Sequence, residues 1–106
     1  MQCDSSNASS RGANLQSEMS MVRKEIDLLD EQIIRLLAKR FSFTHRVGLL
    51  KVQIGETPVD PARQAHRRQL LQELASRHGV DATLVGDLFG RIQRDTVANH
   101  SRLARS

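Results

Sequence analysis

A helix too long for its own domain is written into the middle of this chain. From Val22 to Ile54 the apolar residues recur at helical spacing: Val22, Ile26, Leu29, Ile33, Leu37, Val47, Leu50 and Ile54. At about 100° per residue they share one face of a single helix. No proline interrupts Ser17 to Ile54, and Gly48 is the only glycine there. A helix of about 36 residues is about 54 Å long, whereas a compact domain of about 100 residues has a radius of gyration of about 13 Å. The ends must overhang, and the apolar stripe continues out to both of them.

Two shorter helices follow. Gly55-Glu-Thr-Pro58-Val-Asp60-Pro61 breaks the first helix. Asp60 before Pro61 is an N-terminal signature: a capping side chain outside, and a proline at the first helical position. The second helix is predicted over about Pro61 to Arg77, with Leu70, Leu71 and Leu74 inward, and His78-Gly79 stops it. Asp81 is expected to cap a third helix through about Leu103, carrying Leu84, Val85, Leu88, Phe89, Ile92 and Val97. No alternating strand pattern or hairpin turn occurs. The expected fold is all-α, with three helices per chain and one of them very long. Two short helices cannot cover the whole long stripe, so the economical architecture is an intertwined homodimer in which the partner chain completes it. Residues 1–16 are Ser/Asn-rich and read as a disordered leader, leaving residues 17–103 as the folded domain.

Charges interrupt all three apolar faces. Arg40 and Lys51 fall near the centre of the first stripe, three turns apart, and Arg23 lies at its edge. On the second helix Arg63 lies in line with Leu70 and Leu74. On the third, Thr96 lies in line with Val85 and Ile92, with His100 on the flank. A buried charge is expensive unless something pairs with it. Each residue alone has an ordinary explanation, such as a cation that lays its stem on the core and its head in water. Together they offer four cations, and the nearest inward carboxylates are Asp30 and Asp60. A ligand with two negative charges suits such a set, because the planar arginine fork grips a carboxylate through two bonds.

Bulk composition narrows the partners. Net charge is +4, which is compatible with nucleic acid, a membrane surface or a small polyanion. Without Trp or Tyr, and with three Phe, the chain lacks stacking platforms for single strands, so no nucleic-acid partner is expected. Cys3 stands alone and the four histidines show no metal-ligand spacing, so neither a disulfide nor a metal site is expected. No apolar run approaches membrane-spanning length and no signal peptide is recognisable, so the default address is a reducing cytoplasm.

Five segments, in this order and spacing, resemble the all-helical class of chorismate mutase: V-R-K-E-I-D-L-L-D (22–30), L-L-A-K-R (36–40), V-G-L-L-K (47–51), P-V-D-P-A-R-Q (58–64) and L-F-G-R-I (88–92). The similarity covers about Val22 to Ser101. It implies a three-helix, domain-swapped dimer with two identical active sites that convert chorismate to prephenate without a cofactor. By position, Arg23 would bind a substrate carboxylate in the partner's site, and Arg40 would hold carboxylates within its own chain. Lys51 would bridge a carboxylate and the ether oxygen of the breaking bond. Asp60 would offer backbone contact near the ring hydroxyl, beside Arg63. Thr96 stands where the family usually has a serine that touches a carboxylate.

Two positions depart from the family's commonest form. Gln64 stands where a glutamate normally accepts from the ring hydroxyl, and an amide accepts more weakly than a carboxylate. His100 stands where many members have a glutamine that donates to the ether oxygen, and it is expected to donate better when protonated. Lys51, Arg40 and His100 are thus the candidate catalytic residues. Arg23, Asp60, Arg63, Gln64 and Thr96 complete the expected binding set. Ordinary chorismate is the favoured substrate. Isochorismate-pyruvate lyases and 4-amino-4-deoxychorismate mutases share the fold and are the alternatives. The readings from other classes are a non-catalytic helical dimerisation or regulatory module and, behind it, a weak basic nucleic-acid binder.

Overall fold

The computed structural model describes residues 2–106, with side chains from residue 10 onward. Three α-helices follow one another: α1 (Gln2–Ile54), α2 (Pro61–Arg77) and α3 (Ala82–Arg105). No strand occurs among the described residues. The all-α, three-helix expectation therefore holds.

The short helices begin and end where their capping chemistry dictates. Asp60 has extended backbone, and its Oδ1 accepts from the Arg63 N–H at 3.1 Å while Pro61 opens the first turn. One orphan N–H is satisfied and the missing proline N–H costs nothing. At the other end the His78 N–H returns to the Leu74 carbonyl, and Gly79 adopts φ 68°. That left-handed conformation is cheap only without a Cβ. Asp81 caps α3 through the Thr83 N–H at 3.2 Å.

The first helix differs from expectation at its start. It continues back past Ser17 to Gln2. Extending a formed helix adds one hydrogen bond per residue fixed, and the preceding segment holds no proline to stop it. The leader expected over residues 1–16 falls partly outside the described side chains; those from residue 10 to 16 are exposed on this helical extension.

The chain divides into two compact units, Met1–Lys39 and Arg40–Ser106. In the first unit the apolar stripe is open: Val22, Ile26, Leu29 and Ile33 are each about half exposed. In the second unit α2 packs on α3 around buried Ala75 and Ile92, with Leu71, Leu74, Val85 and Phe89 half-buried beside them. Gly48 of α1 is buried there against α3. A Cβ on it would come within 2.5 Å of the His100 ring and 2.8 Å of Leu103.

The inward faces of the short helices correct the sequence reading in phase. On α2 the residues turned inward are Gln64, Arg67, Leu71, Leu74 and Ala75, whereas Arg63 and Leu70 are exposed. With only three leucines, this helix does not define the centre of its own stripe. On α3, Leu84 and Leu88 are exposed, and the packed line runs through Val85, Phe89, Ile92, Thr96 and His100. No helix among the described residues is long and apolar enough to cross a membrane.

Candidate functional site

Arg40 opens the second unit and is the most constrained of its cations. Its guanidinium carbon lies 5.9 Å from the centroid of the Phe89 ring, at the outer limit of a cation–π contact. One terminal nitrogen, Nη1, is buried and has no hydrogen-bond partner. Burial lowers the Arg40 pKa, and the neighbouring Arg63 charge lowers it further. Arg67 behaves the same way: burial first, then the charges of Arg40 and Arg63, push its pKa down. Arg40 and Arg67 therefore both carry their charge against burial and against the nearby charge of Arg63. Arginine stays protonated regardless, so the strain remains as positive potential that an anion relieves.

Lys51 stands three turns further along α1, half-buried. Its Nζ donates to the Pro58 carbonyl at 3.1 Å. That bond ties the ammonium to the connecting loop, and two of its three donors stay available. The loop is held in turn by Thr57, whose hydroxyl donates to the Val59 carbonyl at 2.8 Å. Asp60 spends Oδ1 on its cap, and its carbonyl accepts from the Gln64 N–H at 3.0 Å. Gln64 itself is half-buried.

Thr96 and His100 complete the unit from α3, each only 5% exposed. A helical threonine commonly bonds back to the preceding turn, but the buried Thr96 Oγ1 has no partner. His100 Nε2 lies 2.6 Å from the Thr44 carbonyl of α1. A carbonyl only accepts, so Nε2 carries the hydrogen. The neutral ring then presents Nδ1 as an acceptor, and Nδ1 donates only when the imidazole is charged. The burial of His100 exceeds what its flanking place on the stripe suggested. Gly48 makes it possible by letting the ring lie against the α1 backbone.

Of the residues singled out from sequence, Arg40, Lys51, Asp60, Arg63, Gln64, Thr96 and His100 all belong to the second unit, and Arg23 is exposed on the first. The ion pairs among the described residues are Arg35–Glu31 and Arg91–Asp95, both exposed and both at 3.2 Å. Neither includes a candidate residue, so internal carboxylates do not neutralise this set. Arg67 escaped the sequence reading although its position held the signal: it precedes Leu71 by four residues and Leu74 by seven, a helical stripe. Phasing α2 on Leu70 hid it.

Buried, unpaired donors on α1 and α3, in a unit that also gathers arginines, suit a compact polyanion. The family model for chorismate mutase type II matches residues 22–101, spanning every one of these positions. The chain belongs to the chorismate mutase type II family. Among its relatives, a T-protein of Haemophilus influenzae is 35% identical over 81 residues, covering 76% of this chain. A protein of Methanocaldococcus jannaschii named chorismate mutase is 31% identical over 72 residues, covering 68% of this chain and 73% of its own length. A T-protein of Enterobacter agglomerans is 28% identical over 85 residues, covering 80% of this chain. The chain spans only 22% and 23% of the two T-proteins, so the similarity is to one part of them.

Proposed function

We propose that this chain is a chorismate mutase, converting chorismate to prephenate by a Claisen rearrangement. The observation that carries the reading is the pair of buried, partnerless donors, Arg40 Nη1 and Thr96 Oγ1, in a unit whose site cations pair with no carboxylate. Membership of the chorismate mutase type II family supplies the reaction class.

The chemistry suits a site without an obvious acid, base or nucleophile. A pericyclic rearrangement is unimolecular and transfers no proton. The protein has to fold the enolpyruvyl group over the ring, which is an entropic and conformational effect. It also has to stabilise negative charge growing on the ether oxygen, and donors fixed in advance do this without reorganising. In this reading Arg40 and Thr96 hold carboxylate, and Lys51 bridges a carboxylate and the ether oxygen. Asp60, Arg63 and Gln64 meet the ring side. His100 donates to the ether oxygen through Nδ1 as the imidazolium, because Nε2 is already spent on Thr44.

The working form in this reading is a domain-swapped homodimer of the 17–103 domain. The half-exposed stripe of Val22, Ile26, Leu29 and Ile33 supports it, because burying the exposed half of each such side chain is worth about 1 kcal/mol. Arg23 then acts in the partner's site. The test is incubation of the purified protein with chorismate and, separately, with isochorismate, with products separated by chromatography. Prephenate from chorismate is the expected result. Salicylate and pyruvate from isochorismate alone would reassign the enzyme within the same fold. No turnover of either would favour the 4-amino analogue or a regulatory module.

A further inference from the structure

We propose that Arg67 is a substrate-binding residue which, beside neutral Gln64, selects a dicarboxylate with an uncharged ring substituent over one carrying an ammonium group. This rests on the chorismate mutase reading and narrows its substrate. Arg67 is one helical turn from Arg63 and three residues from Gln64, spacings that put all three on neighbouring positions of one α2 face. It is half-buried, and it lines a cavity of about 300 Å³ between α2 and α3 together with Gln64, Gln93 and Phe89. Phe89 is also the ring against which Arg40 lies, so the cavity and the Arg40 contact share one side chain.

A solvated surface arginine is the ordinary alternative, with its stem on the core and its head turned to water. Such a side chain swings away from like charges. Arg67 instead stays where burial and the charges of Arg40 and Arg63 oppose its own, and no carboxylate among the described residues pairs with it. A carboxylate of the ligand relieves that opposition. The other polar groups lining the cavity are a second cation, Arg68, and the neutral amides of Gln64, Gln72 and Gln93, and no Asp or Glu lines it. A ring hydroxyl finds donors and acceptors there. A ring amine, protonated at neutral pH, finds added positive charge and no counter-ion, which is how a site rejects a near-isostere.

The experiment compares chorismate with 4-amino-4-deoxychorismate as substrates for the wild type, Arg67→Gln, Arg67→Lys and the distal control Arg77→Gln. The wild type is expected to prefer chorismate by at least about tenfold in kcat/KM. Arg67→Gln should raise KM for chorismate by about tenfold with kcat little changed, and erase most of that preference. Arg67→Lys should keep the preference while losing part of the affinity, because a point charge replaces a fork. Arg77→Gln should match the wild type. An unchanged KM and preference in Arg67→Gln, with an active wild type, would overturn this inference alone. A wild type inactive on chorismate would overturn the assigned reaction and this inference with it.

Discussion

Arg40 concentrates the case for an anion site, because its buried Nη1 is paired with nothing while burial and the Arg63 charge oppose its own. Removing a donor aimed at developing charge commonly costs about 10²–10³ in kcat. Lys51→Ala should therefore lose about 10³-fold in turnover. Its circular dichroism should stay wild type, because the loss to the fold is one bond to Pro58. Retained turnover would show that the ammonium serves only to fix the loop. His100 makes a second prediction. With Nε2 donated to Thr44, only the charged ring has an N–H left for the ligand. Removing that N–H should lower kcat, because the ether oxygen loses a fixed donor. The His100→Ala variant should lose about 10²-fold in kcat with its circular dichroism unchanged; a wild-type kcat would remove His100 from the mechanism. The histidine nitrogens also show where sequence legibility stops: the position was readable, but the carbonyl that claims Nε2 lies 56 residues away in the chain.

Glycines decide more than composition suggests at the level of the helices. Gly48 lets α3 approach α1, and a methyl group there meets the His100 ring and Leu103. Overpacking of this kind costs about 1–3 kcal/mol, against about 1 kcal/mol recovered in helix propensity. Gly48→Ala should therefore destabilise by about 1 kcal/mol net and lower activity through displacement of His100. An active, stabilised variant would mean the ring moves freely. Gly90, interior to α3, is the opposite case, since a Cβ there meets nothing within 4 Å. Gly90→Ala should stabilise by about 0.5–1 kcal/mol in chemical denaturation at fixed protein concentration. The helices themselves were legible because caps and breakers are local: Asp60-Pro61, His78-Gly79 and Asp81 all act within a few residues. The phase of α2 was not legible, because three leucines on two sides leave its stripe undefined until α3 packs on it.

For the whole molecule, the unpaired face of the first unit carries the prediction. Ile26→Glu should convert the proposed dimer to a monomer in sedimentation and abolish turnover. A sharper test uses complementation. Arg23→Ala and Lys51→Ala homodimers should each be inactive. Unfolded together and refolded at equal concentration, they should recover about one quarter of wild-type activity, because half the dimers are mixed and each has one intact site. No recovery would mean that Arg23 serves the site of its own chain, or none.

Local rules carried far in this protein. The period of the apolar residues, the proline and glycine breaks and the capping aspartates determined three helices and their order. The cations set into those faces pointed to a dicarboxylate. Each of these depends on neighbours within a turn or two. Only the tertiary structure decided that Arg67 rather than Arg63 turns inward and that Gly48 and His100 are one contact. It alone showed that Arg40 Nη1 and Thr96 Oγ1 are buried without partners. Those outcomes depend on which face of one helix meets another, and periodicity within a single helix contains no information about its neighbour's position.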